Sequence, residues 1–181
     1  MKIKKYSKIV SPFVQTKAFF HHNKIEELRN NSIVAPVTCE IDLVDGFCNN
    51  KCKHCFFGTN NKATPVFMDT EVIKRTIKEL SEMGTKAVEF TGGGEPTTHP
   101  DISEIIKYAY DLGLDVGVVT NGLLLNKLNE VVKCLTFIRV SVDAGSRETY
   151  KVVHGLDKFD VWSYVNILDT KSQTFLCCTS S

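Results

Sequence analysis

The chain predicts an α/β protein built on a parallel sheet with right-handed crossovers and about four to five β/α units. Three observations carry this. Short β-branched runs alternate with amphipathic helical stretches at least four times along the sequence. Runs such as "VGVVT" and "FIRVSV" lack clean polar–apolar alternation, as parallel strands buried on both faces do. The polar motifs "GFCNNKCKHC", "GGGEP", "TNG" and "SVDAG" all fall at or just past the C-terminal end of a strand, the edge where parallel α/β folds gather their active sites.

Residues 1–34 are polar, with one short helical candidate at Lys24–Arg29, and read as an N-terminal extension. "APVTCEIDLV" (Ala35–Val44) is rich in β-branched residues and reads as the first strand. The cysteine loop follows it. "MDTEVIKRTIKELSEMG" is a helix: Asp69 or Thr70 caps it, Ile73, Ile77 and Leu80 form its apolar stripe, and Gly84 ends it. "KAVEFTGGG" is a strand entering a glycine loop. In "HPDISEIIKYAYDLG" Pro100 lies near the helix start, Ile102, Ile105, Ile106 and Ala109 share a face, and Gly113 closes it. "LDVGVVTNG" is a strand and Leu123–Cys134 a helix. "FIRVSVDAG" is the fourth strand, followed by helical candidates at Ser146–Val153 and Phe159–Asp169 and a fifth strand in "QTFLCC". No repeat or linker divides residues 35–181, which read as one domain.

The 181 residues are 43% hydrophobic and 24% charged, an ordinary globular profile. Lys+Arg number 22 against Asp+Glu 21, a net charge of +1, so there is no basic field for nucleic acid. Lys2, Lys4, Lys5 and Lys8 read as a solvated terminus. No apolar run is long enough for a bilayer, and Ser7, Ser11, Gln15 and Lys17 interrupt any signal-peptide core. A cytoplasmic location is expected. Seven cysteines, three of them crowded, favour a metal over disulfides in a reducing compartment.

Those three are Cys48, Cys52 and Cys55, spaced C-x3-C-x2-C. Three thiolates hold three irons of a 4Fe–4S cluster and leave one iron open. The alternative is zinc, with His54 or Cys39 as fourth ligand. His54 lies between two cysteines, where its ring turns with difficulty toward the same metal, and Cys39 sits inside a strand as a small core residue. In "TGGGEP" (Thr91–Pro96) the glycines permit close backbone approach, and Glu95 offers a carboxylate to a cationic amino group. A tight strand-to-helix loop is the competing reading. Asn121-Gly122 is also a turn signal, and Asp143 a candidate cap for the helix near Ser146.

Together these motifs resemble those of the radical S-adenosylmethionine (SAM) enzymes, over about Val37 to Gly155. The resemblance implies a partial, TIM-like (β/α) barrel. It implies a 4Fe–4S cluster on Cys48, Cys52 and Cys55 whose open iron is chelated by the amino and carboxylate groups of SAM. It implies SAM contacts from Gly92, Gly93, Gly94 and Glu95, and from Thr120, Asn121, Ser141 and Asp143 at the third and fourth strand ends. The implied activity is reductive cleavage of SAM to a 5′-deoxyadenosyl radical that abstracts hydrogen from a substrate, small molecule or peptide, with an external one-electron reductant. The alternatives are a truncated protein that binds SAM and cluster without productive turnover, and a zinc-binding structural module.

Two features depart from the family. Many relatives carry arginine before the glycine where this chain has His154-Gly155, leaving Arg147 or Arg139 to supply a basic contact. His54 keeps a ring where relatives are often aromatic, and Phe56 and Phe57 are candidates to pack around cluster and adenine. His21, His22 and His99 read as surface or loop residues, and Cys177-Cys178 as an isolated pair rather than a second cluster. A barrel of about 250 residues for eight units puts six units starting at Ala35 near residue 225 by the same rough arithmetic. The sequence ends at Ser181. The expectation is a C-terminally short barrel whose open edge is covered by a partner or second copy.

Overall fold

Helices α1 (Lys17–Phe20) and α2 (His22–Arg29) precede β1 (Thr38–Asp42) and β2 (Val44–Asp45). After α3 (Phe56–Thr59) and β3 (Val66–Phe67) come α4 (Thr70–Glu82), β4 (Ala87–Thr91), α5 (Ile102–Asp111) and β5 (Asp115–Thr120). β6 (Phe137–Ser141), α6 (Arg147–His154) and β7 (Thr174–Cys177) complete the order. This is a computed structural model; it describes residues 12–13, 17–30, 33–59, 63–160 and the strand 174–177.

β1, β4, β5, β6 and β7 form one sheet in that order, every pairing parallel. The register aligns Ile41, Phe90, Val118 and Ile138 across four strands. This row belongs to the buried core, with Ile73 and Ile77 of α4, Ile102, Ile105, Ile106 and Ala109 of α5, and Tyr150 of α6. Each fully buried isoleucine contributes about 1.5–3 kcal/mol. The adjacent row, Glu40, Glu89, Gly117 and Phe137, points to the opposite face. There the N-terminal segment meets the sheet, Phe13 packing edge-on against Phe137 at 4.8 Å. A parallel sheet whose crossover helices pack on one face is a stretch of barrel wall, as distinct from a doubly wound sheet.

Local chemistry explains the helix limits. Asp69 caps α4, accepting from Glu71 N at 3.0 Å and Val72 N at 3.1 Å. α4 and α5 both close in Schellman turns, Thr85 N donating to Leu80 O and Leu114 N to Ala109 O, with Gly84 and Gly113 at the left-handed position.

Three expectations need correction. The helix over Leu123–Cys134 is instead two 3₁₀ turns, Leu125–Leu128 and Val132–Cys134. Buried Leu125, Leu128 and Val131 recur every third residue, the period at which 3₁₀ side chains align. Asn121 also draws the entry into an Asx turn by accepting from Leu123 N at 3.0 Å. The strand over Ala35–Val44 is shorter, and Val44 pairs with Phe67 in a separate antiparallel ribbon that brackets the cysteine loop. His99 stands in a loop, as one of its two readings has it, but is buried rather than at the surface: Asp101 N donates to its Nδ1 at 3.1 Å, and its Nε2 meets Met68 O at 2.9 Å. The helical candidate Phe159–Asp169 lies, beyond Asp160, outside the described residues. No helix among the described residues is long and apolar enough to cross a membrane.

Candidate cluster and SAM site

The cysteine loop leaves the β1 edge of the sheet and is gripped from three sides. Cys48 receives the Asn121 amide at 3.5 Å, and the same amide donates to Asn49 Oδ1 at 2.7 Å. Cys52 Sγ stands 3.0 Å from His154 Nδ1. Cys55 N donates to Cys52 O at 3.2 Å, closing the turn between them. Burial pushes the Cys48 thiol up, and burial together with Cys48 and Cys55 pushes Cys52 up to about 12. Cys48 and Cys52 are therefore thiols in the metal-free loop, and a metal must displace their protons. Cys39, Cys48, Cys52, Cys55 and Cys134 form no disulfide.

Among the described residues no three His, Cys, Asp or Glu side chains are grouped to hold a single ion. A 4Fe–4S cluster takes one thiolate per iron and spreads them apart. His54 Nε2 lies 3.8 Å from the Asp143 carboxylate, and Cys39 packs with the core.

The glycine turn after β4 meets this loop backbone to backbone. A Cβ on Gly94 would lie 2.4 Å from Phe47 O and 2.9 Å from Val44 O. Gly92 has φ +114°, and a Cβ there would fall inside the Asp42 carboxylate, which also accepts from Gly93 N at 3.1 Å. The glycines thus let the turn dock against β1 and the cysteine loop. The Phe57 ring covers Gly93, while Phe56 is largely exposed.

Glu95 is buried, at 3% exposure. Its Oε1 accepts from Thr97 N, Thr97 Oγ1 and Thr120 Oγ1 at 3.1, 2.5 and 2.6 Å, and its Oε2 accepts from Asn121 N at 2.8 Å. Burial pushes the carboxyl up, and these four donors pull against that shift. Glu95 therefore joins the end of β4 to the end of β5. A carboxylate has about four acceptor sites, and Oε2 keeps one beyond its Asn121 bond.

The structure gathers Cys48, Cys52, Cys55, the glycines, Glu95, Thr120 and Asn121 into one bonded neighbourhood. Thr120 is buried, its hydroxyl committed to Glu95 and to Gly122 N. Ser141 ends β6 on the face of Arg139, opposite the helices. Asp143 has φ +46°, the one described non-glycine residue at positive φ, a conformation that concentrates at functional sites. It does not cap α6, since Ser146 does, accepting from Thr149 N at 3.2 Å. The arginines suggested as basic contacts are engaged: Arg147 with Asp157 and Asp160, Arg139 with Glu89 at 3.5 Å. Sequence reading missed Asp42, Asn50 and Tyr150. The i,i+4 pair Tyr150–His154 on one helix face was the available signal for the last.

The cysteine loop, glycine turn and strand ends meet on a stretch of barrel wall, the site edge of a β/α protein. Residues 44–168 match the family described as the radical SAM superfamily, and the chain belongs to that family. It is 34% identical over 127 residues to an AdoMet-dependent heme synthase of Methanosarcina barkeri, covering 67% of this chain and 35% of that protein. It is 37% identical over 116 residues to a probable GTP 3′,8-cyclase of Saccharolobus islandicus, covering 62% and 37%. Among solved structures, SuiB of Streptococcus suis bound to S-adenosylmethionine aligns with a TM-score of 0.66 at 17% identity, over 97% of this chain and 41% of that one. The chain spans about a third of the length of these curated relatives, and the barrel-wall reading agrees with the shared fold. Its cofactors are those of the family, a 4Fe–4S cluster and SAM.

The residues fit these groups. Cys48, Cys52 and Cys55 share one loop, and three thiols are the donor set that leaves one iron of a 4Fe–4S cluster without a cysteine. The Tyr150 hydroxyl is buried near Cys52, and burial and Cys52 push its pKa up to about 12 while the Asn50 side chain pulls it back. A buried hydroxyl this weakly engaged beside a ligand sulfur is one that a bound group can satisfy.

Proposed function

We propose that this chain supplies the cluster- and SAM-binding core of a radical SAM enzyme acting on a small molecule or a peptide. The chemistry its cofactors supply when bound is one-electron cleavage of the SAM sulfonium to methionine and a 5′-deoxyadenosyl radical, which takes a hydrogen atom from the substrate. The protein's part is to bind, orient and exclude water. Cys48, Cys52 and Cys55 hold three irons. The Gly92–Gly94 backbone and the remaining acceptor site of Glu95 receive the cationic amino end of SAM. Thr120 acts through Glu95, which it holds in place. Asn121, Ser141 and Asp143 line the carboxylate and ribose end.

A cleft of about 420 Å³ opens between Asp42, Phe57, Phe67, Met68 and Gly93, a size suited to a small organic group. Its aromatic and thioether walls beside Gly93 suit the adenine. Cysteines held out of disulfides suit a reducing, cytoplasmic setting. An external reductant provides the electron. Substrate class rests on the relatives: one structure of this fold holds a precursor peptide, and the curated relatives are named for heme and GTP chemistry.

The observation that carries the proposal is Asn121. Its backbone N–H bonds Glu95 of the glycine turn and its side chain bonds Cys48 of the cysteine loop, so cluster loop and SAM turn are one unit. The test is anaerobic reconstitution, then incubation with SAM and dithionite, with 5′-deoxyadenosine measured by chromatography. Product above a triple Cys48/Cys52/Cys55→Ala control is expected; equal amounts in both refute the proposal.

A further inference from the structure

His154 lies off the strand ends that build the site, in the last turn of α6, and is 1% exposed. Its ring stacks on Tyr150, centroids 4.2 Å apart and planes at 26°. Nε2 is 2.7 Å from Val142 O. A carbonyl only accepts, so Nε2 carries a proton and donates to it. The other ring edge faces the cysteine loop, with Nδ1 3.1 Å from Asn50 Nδ2 and 3.0 Å from Cys52 Sγ.

The backbone repeats the connection. Lys51 N donates to His154 O at 3.4 Å and Lys53 N to Val153 O at 3.0 Å. Cys52 is thus flanked on both sides by amides tied to the end of α6, and its sulfur is tied to a ring on the same turn. Asn50 is itself fully buried, and its Oδ1 accepts from Lys51 N at 2.9 Å. A buried imidazole costs free energy unless its nitrogens are bonded. Apart from Val142 O, the partners of this one all lie in the cysteine loop. An aliphatic residue would fill the space and make none of these bonds.

We propose that His154 is a positioning residue for the cluster site, bridging the segment after β6 to the cysteine loop and setting the direction of the Cys52 side chain, whose thiol proton Nδ1 accepts before the metal enters. The inference rests on the assignment of Cys52 as a ligand. Hydrogen-bond partners of metal ligands typically matter about 10- to 100-fold in metal affinity, and the hydrogen bonding around cluster sulfurs tunes their electronic structure.

The test compares wild type with His154→Ala, His154→Asn and His154→Gln after anaerobic reconstitution. Two readouts apply: the rate at which a chelator strips iron, and the electron paramagnetic resonance line shape of the reduced cluster. Asn keeps a polar atom where Nδ1 stands and loses the Val142 contact. Gln keeps a polar atom near Nε2 and loses Cys52 and Asn50. Expected is iron loss about 10- to 100-fold faster with an altered line shape in His154→Ala and His154→Gln, and near-wild-type behaviour in His154→Asn. Should His154→Ala fail to fold, the Asn–Gln comparison decides alone. Asn and Gln behaving alike, or all variants matching wild type, overturns the inference and leaves a packing role. A wild-type chain that takes up no cluster overturns the proposed function as well.

Discussion

Replacing Glu95 by Gln changes one atom and disturbs a closed set of bonds. Oε1 takes three donors and Oε2 takes Asn121 N. An amide offers one acceptor oxygen. Its best orientation keeps that oxygen at the Oε1 position, which turns the NH₂ group toward the Asn121 N–H, donor against donor. The charge-assisted bond to Asn121 is lost, at about 1.5–3 kcal/mol. A donor is left unpaired at 3% exposure, at about 1–3 kcal/mol. The two overlap, so the total is about 3 kcal/mol. In a chain of this size 1 kcal/mol moves Tm by about 2–4 °C, giving a fall of about 6–12 °C. Circular dichroism melting of the metal-free variant against wild type measures it. A Tm within about 2 °C of wild type would refute the view that Glu95 joins β4 to β5. Weaker SAM binding with an undiminished melt would point to a ligand role alone.

Gly94→Ala drives a Cβ to 2.4 Å from Phe47 O, backbone against backbone, so the turn and cysteine loop must separate; reduced iron and sulfide uptake in a chain that still shows helical circular dichroism is expected. Asp69→Ala removes the α4 cap and should cost about 1 kcal/mol, a Tm drop of about 2–4 °C with iron content unchanged. Replacing Cys48, Cys52 or Cys55 singly with Ala should abolish the intact cluster, read as iron and sulfide per chain, while Cys39→Ala should leave both at wild-type levels.

Much of this was legible because local and global signals agree. The stripes of α4 and α5, the Asp69 cap and the glycine stops are decided within one turn of chain, and all appear where the pattern puts them. The third helix failed because Leu125, Leu128 and Val131 obey a period of three, which a search for helical stripes scores as a match. At the site, cysteine spacing and the glycine motif were readable as chemistry, since they sit on single loops. The roles within that chemistry were not. Glu95 reads as an open ligand in sequence, yet its bonds to Thr120 and Asn121 join residues 25 and 26 positions apart. His154 reads as a departure from the family, yet it meets Cys52 across 102 positions. Such pairings exist only once the sheet brings strand ends together.

The central claim is that three thiols leave one iron of a cluster open to SAM. The direct measurement is Mössbauer spectroscopy of the ⁵⁷Fe-reconstituted chain before and after SAM is added. The account predicts a 4Fe–4S signal in which one iron site of the four shifts on SAM addition while the other three hold. Four sites unmoved by saturating SAM, or a chain that takes up zinc and no cluster, would contradict it.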